Sequence, residues 1–408
     1  MHFWLEVKEG LIISFRAIRA NKMRSVLTTL GIIIGIVSVT LMSTAIEGIN
    51  RAFDKSAAAF GSDVLYIDRF PWVGNEDWAT IRNRRQLEVR FASAIERQSV
   101  FADAVAPVVG TRRRMTQGSN SMEEAFVSGT THQFINAAGV RLADGRFFTS
   151  EESSGGRPVV VIGATIGENL FPREDPIGKV IRIGGFPYVV VGVCDKEGGM
   201  FGSFTSDTRA FIPLFSFQNH FGSRRNVTIQ VRVADQKHMD DAKIEIEGIM
   251  RKVRNLPPGK ANDFNINQQE TLTQAFDAIS LVIASVGLFI TGLSLFVGGI
   301  GIMNIMFVSV SERTREIGIR KAIGANRRTI LLQFLIESAA LCLIGGLIGL
   351  AIAFPLSLII DAFVLPTAMP FSVVGISILI SLLVGVISGF LPAYRAARMD
   401  PVEALRYE

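Results

Sequence analysis

Residues 278–311 read AISLVIASVGLFITGLSLFVGGIGIMNIMFVSVS and contain no Asp, Glu, Lys or Arg. A helix of this length would be about 51 Å long, whereas the hydrocarbon core of a bilayer is only about 30 Å thick. The stretch therefore predicts a membrane-spanning helix that continues beyond the lipid. Residues 25–46 are also free of charge, and residues 338–394 carry only Asp361.

The last of these stretches is long enough for two spans, because Pro366 and Pro370 interrupt it. Proline breaks helices, and lipid does not tolerate an exposed non-helical backbone, so a short turn outside the lipid is expected there. The sequence thus predicts an α-helical membrane protein with four transmembrane helices and a large mixed α/β extracytoplasmic domain, of two lobes, on a helical stalk. The predicted segments are an amphipathic interfacial helix (1–24), spans at 25–46, 278–310, 329–360 and 372–391, the domain with stalk helices at both ends (47–277), a cytoplasmic loop or helix (311–328), an outer turn (361–371) and a cytoplasmic tail (392–408).

Basic residues indicate which side of the membrane each loop faces. Residues 1–25 carry five basic and two acidic side chains, and residues 312–328 carry six basic and two acidic ones. Because basic residues collect on the cytoplasmic side of short loops, both termini and the 312–328 loop are predicted to be cytoplasmic. The 47–277 segment and the 361–371 turn are then predicted to lie outside.

Two regions beyond the spans have a clear periodicity. Residues 3–20 place apolar side chains at helical spacing, which favours an interfacial helix over a plain basic flank. In the 47–277 segment, the residues 87–100 and 238–254 also have helical periodicity, and Gly184-Gly185 suggests a hairpin. Runs of β-branched residues bounded by turn residues predict strands at 63–67, 158–162, 179–183, 188–193 and 226–233.

The loop between the second and third spans is the candidate functional site. It reads SERTREIGIRKAIGANRR over residues 311–328, and a helix of three turns there would be amphipathic, with Gly324 suited to its C-terminal end. Such a helix can dock into a cleft of a cytoplasmic partner and pass its movement to both attached spans. The plainer interpretation is a basic loop that only fixes topology.

Motifs for catalysis and nucleotide binding do not occur in the sequence. There is no GxxxxGK[ST] phosphate loop and no HExxH motif, and all four histidines lie outside the spans. The chain is therefore predicted not to be an enzyme, with no catalytic residues, no metal site and no cofactor of its own. If ATP drives the protein, another chain must bind it.

Two further features of the spans each allow two interpretations. Glu337 is either a functional buried carboxylate or a residue near the cytoplasmic interface that pairs with the basic loop. Gly31 and Gly35 are spaced so that two helix backbones can approach closely. They are predicted to lie at a dimer interface, and packing among the four helices of one chain is the alternative.

Three stretches resemble a known family of permeases. NKMRSVLTTLGIIIGI (21–36) is similar to the start of the first span in MacB-type permeases, and PAYRAARMDPVEALR (392–406) is similar to their C-terminal ending. GGIGIMNIM (298–306), followed by SERTREIGIRKAIGA (311–325), is similar to the second span and coupling loop of that family. The chain thus resembles a MacB-like ABC transporter permease of the FtsX/MacB superfamily and the mechanotransmission type, without a fused ATPase domain.

The resemblance implies a dimeric permease in the bacterial inner membrane, as a homodimer or a heterodimer with a related permease. A separate ABC ATPase dimer would bind ATP and Mg, and an adaptor protein is a further candidate partner outside the membrane. The lipid bilayer would surround the spans, and no nucleic acid is expected as a partner. The stalk would transmit ATP-driven motion to the outer domain for export. The residues that would contact the ATPase are Glu312, Arg313, Arg315, Glu316, Ile317, Arg320 and Lys321.

Two other functions share this plan. One is a membrane regulator like FtsX, whose external domain switches a cell-wall hydrolase, and the other is a lipoprotein-releasing permease of the Lol type. The large external domain favours export over regulation. A Lol-type permease would need a hydrophobic hook, for which residues 197–205 are the candidate, and these resemble a flexible linker.

Overall fold

The computed structural model describes residues 22–58, 60–74, 77–196, 206–223, 225–363 and 369–406. It divides into a helical unit, made of the described residues up to Arg51 and from Ile279 onwards, and an α/β unit, Ala52–Ala278. Most of the predicted interfacial helix, the 197–205 segment and the middle of the 361–371 turn lie outside the described residues.

The helices are α1 (Lys22–Ala58), α2 (Trp78–Arg82), α3 (Val89–Gln98), α4 (Phe134–Ala137), α5 (Ser150–Gly155), α6 (Ala164–Leu170), α7 (Leu214–Phe221), α8 (Met239–Val253), α9 (Gln269–Glu312), α10 (Thr314–Ala322), α11 (Arg327–Phe363), α12 (Phe371–Arg398) and α13 (Pro401–Arg406). The strands are β1 (Val64–Asp68), β2 (Ala102–Gln117), β3 (Asn120–Thr130), β4 (Leu142–Gly145), β5 (Val159–Ile162), β6 (Val180–Ile183), β7 (Phe186–Cys194), β8 (Arg209–Pro213), β9 (Thr228–Val233) and β10 (Asn265–Gln268).

Four helices of the described chain are long and apolar enough to cross a membrane, namely α1, α9, α11 and α12. The prediction of four spans is confirmed. Helix α9 has 44 residues and α1 has 37, so both are much longer than the roughly 20 residues that a bilayer requires. Helix α1 continues to Ala58, past the charged residues that follow its apolar stretch.

Glycines let the helices of the helical unit approach closely. A Cβ atom added to Gly31 would lie 2.8 Å from Cα of Gly298 in α9, and one added to Gly35 would lie 2.7 Å from Leu295. Both glycines of α1 are therefore packed against α9 of the same chain, which is the intramolecular alternative. A dimer interface at Gly31 and Gly35 stays a prediction.

The α/β unit is built on a sheet whose strand order is β10-β1-β9-β2-β3-β8-β5-β7-β4, with β6 paired to β2 and β7. Most neighbours are antiparallel, whereas β3–β8 and β5–β7 are parallel. The five predicted strands correspond to β1, β5, β6, β7 and β9, and the hairpin at Gly184-Gly185 joins β6 to β7. The described strands form one connected sheet, and the division into two lobes stays a prediction.

The core of the α/β unit lies between the sheet and its helices. Residues such as Leu65, Ile95, Val160, Tyr188 and Phe217 are fully or almost fully buried there. Helices α3 and α8 are the two helices expected from the periodicity of residues 87–100 and 238–254. Each presents its apolar face to this core, since Phe91 and Ile95 of α3 and Ile246 of α8 are buried.

Candidate functional site

The loop between α9 and α11 contains the helix α10, nine residues long. Helix α9 ends at Glu312, and Arg313 leaves helical geometry with φ −106° and ψ 16°, so the chain turns there before α10 begins. The helix is terminated at Gly324, whose φ of 101° is a left-handed conformation that favours glycine. The N–H groups of Gly324 and Ala325 donate to the carbonyls of Lys321 and Arg320.

An ion pair holds the N-terminus of α10 against α11. Nη1 of Arg313 lies 3.3 Å from each carboxylate oxygen of Glu337 in α11. The Glu337 side chain is 2% exposed and that of Arg313 is 26% exposed. A buried carboxylate is costly unless it is paired and hydrogen-bonded, so this contact holds the start of α10 to α11. It also supports the interpretation of Glu337 as a partner of the basic loop.

A second contact holds the other end of α10 to the same span. Nη1 of Arg320 donates to Oε1 of Gln333 in α11 at 2.7 Å, while its other nitrogen donates to Glu316 one turn earlier in α10. Arg313 and Arg320, both predicted to contact a partner, are thus directed at groups of their own chain.

The C-terminal helix α13 packs across α10. Ile317 and Gly318 are buried, and a Cβ added to Gly318 would lie 2.8 Å from Cβ of Ala404 in α13. Nζ of Lys321 donates to the carbonyl oxygen of Met399 at 2.6 Å, and burial, followed by the nearby charge of Arg327, lowers the pKa of Lys321. One side of α10 therefore contacts α11 and α13.

Sequence reasoning did not find α13, although a signal for it was present. Asp400 followed by Pro401 is a common helix start, because proline suits the first helical position and an aspartate caps it. In the structure, Oδ1 of Asp400 accepts a hydrogen bond from the backbone N–H of Val402 at 2.8 Å.

The opposite side of α10 is exposed. Ile319 is 44% exposed and Ile323 is 82% exposed, and both lie at helical spacing from Arg315. We call the outward face the exposed residues Arg315, Glu316 and Ile319 of α10, together with Glu312 at the end of α9 and Ile323 directly after α10. A cleft of about 640 Å³ is lined by residues of α9, α10, α12 and α13, among them Phe307, Thr314, Arg395 and Glu403.

The seven predicted contact residues therefore divide into two groups. Arg313, Ile317, Arg320 and Lys321 contact the chain's own helices, whereas Glu312, Arg315 and Glu316 are exposed. Ile319 and Ile323 were not selected as contact residues. An apolar residue exposed on a short, highly charged helix is the signal that could have found them, because such residues form the centres of protein interfaces.

No group of three or more His, Cys, Asp or Glu residues in the described part of the chain is arranged to hold a metal ion. The site offers a nine-residue helix with an exposed face of mixed charge and apolar character.

Two family models match most of the chain. Residues 25–249 match the MacB-like periplasmic core domain, and residues 288–401 match the FtsX-like permease C-terminal domain. The chain belongs to the MacB-like permeases of the FtsX family. The resemblance on which the sequence prediction was based is thereby confirmed, and this MacB-like permease has α10 inside the FtsX-like part.

Two relatives show how the chain compares with whole proteins. It is 34% identical to an uncharacterized ABC transporter permease, YknZ, of Bacillus subtilis over 99% of this chain and 100% of that protein. It is 32% identical to a macrolide export ATP-binding/permease protein MacB of Rhodopirellula baltica, over 98% of this chain but only 62% of that protein. The crystal structure of the periplasmic region of MacB from Actinobacillus actinomycetemcomitans matches 54% of this chain and 95% of its own chain. The two are 20% identical in sequence, and the TM-score is 0.45.

Proposed function

We propose that this ABC transporter permease is the membrane subunit of an exporter, coupling ATP hydrolysis by a separate ATPase dimer to movement of its external α/β unit. ATP and Mg would be bound by the ATPase and not by this chain. In this proposal, α10 is the coupling helix and its outward face is the surface that the ATPase contacts.

The observation that carries the proposal is the asymmetry of α10. Its inner side is held to α11 through Glu337 and Gln333 and to α13 through Ala404, whereas Ile319 and Ile323 remain exposed. A force applied to the outward face would therefore be transmitted to the third span as a rigid displacement. A loop that only fixed topology would need neither the buried ion pair nor the contact with α13.

Movement would reach the α/β unit through α1 and α9. Each of these helices runs without a break from residues of the helical unit into residues of the α/β unit, since the division falls at Arg51 and Ile279. A continuous helix carries axial displacement better than a flexible loop. This supports the stalk that the sequence predicted.

The proposed orientation places both termini and α10 in the cytoplasm and the α/β unit outside the inner membrane. It is supported by the excess of basic residues around α10. The assembly would contain two permease copies, identical or related, and an adaptor protein is a further proposed partner outside the membrane.

The test is recovery of the ATPase with the permease. The chain is purified from its source membranes after irradiation with radioactive 8-azido-ATP, which labels nucleotide-binding polypeptides. We expect a labelled polypeptide to co-purify with the unaltered chain and to be lost with the double variant Ile319→Asp/Ile323→Asp. Placing charge on two apolar contacts of an interface core removes their burial and leaves unpaired carboxylates at the contact.

Ile244→Asp is the matched control, because Ile244 is 70% exposed on α8 of the α/β unit and lies far along the chain from α10. It should leave the labelled polypeptide unchanged. Equal recovery with the double variant and the control would exclude the outward face as the ATPase contact. Absence of any labelled polypeptide with the unaltered chain would exclude the proposed function itself.

A further inference from the structure

The α/β unit contains a cavity of about 480 Å³ that the coupling proposal does not use. Its lining comes from the end of α1, the start of α9 and the strands β1, β2, β3, β8 and β9. Sites for small molecules commonly have volumes of 300–1,000 Å³ and combine apolar walls with a few polar groups.

One wall of the cavity is aromatic. The ring centroids of Tyr66 and Trp72 are 4.8 Å apart, and that of Phe60 lies 5.1 Å from Trp72 and 5.9 Å from Tyr66. The hydroxyl of Tyr66 donates to the carbonyl oxygen of Phe60 at 2.6 Å, so its polar end is already satisfied. The three rings form a fixed apolar surface suited to a ring or an aliphatic body.

The charged groups of the cavity already contact neighbouring side chains of the α/β unit. Oδ1 of Asp68 accepts from Nδ2 of Asn226 at 2.9 Å, and its Oδ2 accepts from the hydroxyl of Thr228 at 2.6 Å. The guanidinium of Arg209 lies 5.0 Å from the ring centroid of Phe126, a cation–π arrangement. Both carboxylate oxygens of Asp68 are thus already hydrogen-bonded, and the Phe126 ring already occupies one face of the Arg209 guanidinium.

Two acceptor atoms remain. Oε1 of Gln230 and Oδ1 of Asn226 are buried and have no hydrogen-bond partner among the described residues, and Gln230 is only 8% exposed. The orientation of the Asn226 amide is fixed, since its nitrogen must be the atom that donates to the Asp68 carboxylate. An unpaired buried acceptor costs about 1–3 kcal/mol, and native structures keep few of them.

We propose that this cavity binds a neutral amphipathic small molecule. An aromatic or aliphatic body would pack on Phe60, Tyr66 and Trp72, and a hydroxyl or N–H group would donate to Oε1 of Gln230, which belongs to the more buried of the two residues. The proposal names a class of molecule for the exporter, and it rests on the proposed function only for what happens after binding.

The test uses a photoreactive probe of this chemistry on the full chain in phospholipid nanodiscs, without ATPase. The probe is 4-[3-(trifluoromethyl)-3H-diazirin-3-yl]benzyl alcohol, and its methyl ether, which lacks the hydroxyl donor, is the matched control probe. Labelled peptides are identified by mass spectrometry. We expect saturable labelling of peptides that contain Trp72 or Gln230, competed by 2-naphthol and at least fivefold weaker with the ether.

Two variants localise the binding. Gln230→Leu should reduce labelling by the alcohol to the level of the ether, whereas Gln98→Leu, at an exposed glutamine of α3, should not. Leu272→Trp should fill the cavity and abolish labelling by both probes, and circular dichroism shows that each variant is folded.

Equal labelling by the alcohol and the ether in the unaltered chain would overturn the proposal, whatever the variants do. Labelling that does not saturate, or that is confined to the lipid-facing helices, would overturn it as well, because lipid then accounts for the signal. Since no ATPase is present, these outcomes leave the coupling proposal to its own test.

Discussion

Arg313 and Glu337 are 24 residues apart in the chain, and the Arg313 guanidinium nitrogen Nη1 lies 3.3 Å from both carboxylate oxygens of Glu337. The pair joins the turn before α10 to the interior of α11. In the proposed function, it is the contact through which α10 and α11 would move together.

We expect Glu337→Ala to destabilise the helical unit by about 3 kcal/mol or more, because it leaves the Arg313 charge without its buried partner. The double variant Arg313→Met/Glu337→Met should recover most of this loss, since neither charge remains. The measurement is the melting temperature of the purified chain in nanodiscs, where such a loss corresponds to a fall of roughly 5 °C or more.

Glu316→Ala is the control, because its pair with Arg320 lies on the surface, with side chains 53% and 42% exposed. Such pairs contribute about 0–1 kcal/mol. A double variant no more stable than Glu337→Ala alone would contradict the role given to the charge pair.

A second ion pair makes a prediction about pH. In the α/β unit, Nη1 and Nη2 of Arg146 donate to the two carboxylate oxygens of Glu152 at 2.7 and 2.8 Å, and the backbone N–H of Thr149 donates to it as well. The hydrogen bonds from Arg146 are the main cause that lowers the pKa of Glu152 to about 2. Because the folded pKa lies below the unfolded one, the stabilisation is present above about pH 4.5 and is lost as the pH falls towards 2.

The measurable quantity is the difference in melting temperature between the unaltered chain and Glu152→Gln. We expect it to be constant between pH 7 and pH 5 and to shrink by roughly half at pH 3. Glu124→Gln, which removes a surface ion pair with Arg112 whose side chains are 75% and 63% exposed, should differ little from the unaltered chain at any pH. A difference that did not change down to pH 3 would mean that Glu152 is not ionised against Arg146.

The sequence predicted the spans and five strands because these elements have a simple periodicity. The hairpin of β2 and β3 was not predicted, since β2 has four consecutive buried residues, Ala104 to Pro107, and then the charged Arg112-Arg113-Arg114. Neither part alternates between apolar and polar side chains, so the period of two that identifies a half-buried strand is absent.

The candidate site was predicted in position but not in orientation. The charges of residues 312–321 indicated a surface helix, yet Arg313 and Arg320 are used within the chain, because Glu337 and Gln333 come from a helix that is adjacent only after folding. The glycines show the same limit. The spacing of Gly31 and Gly35 predicts a close approach of backbones, and only the structure shows that α9 is the neighbour.

The orientation of the chain can be tested with single cysteines. Both native cysteines, Cys194 and Cys342, are buried, so background labelling should be low. Val100 is 84% exposed in the α/β unit and Ile323 is 82% exposed after α10. In intact cells, an impermeant maleimide should label Val100→Cys at once and Ile323→Cys only after permeabilisation; the reverse pattern would invert the proposed topology.

The packing of α13 on α10 predicts that exchanging the glycine and the alanine at their contact, Gly318 and Ala404, restores the packing that a larger residue at position 318 disrupts. Gly318→Ala places a methyl group 2.8 Å from the methyl group of Ala404, which is closer than two carbon atoms tolerate, so α13 should separate from the coupling helix. Amide hydrogen exchange of residues 402–406 should become several-fold faster in this variant. Gly318→Ala/Ala404→Gly restores the space and should return exchange close to the original rate. Gly375→Ala, at an exposed glycine of α12 with no atom within 4 Å of the added methyl group, should leave it unchanged. If Gly318→Ala loses the ATPase while the double variant and Gly375→Ala retain it, then α13 sets the position of α10 that the partner requires, because the outward face is identical in all three variants.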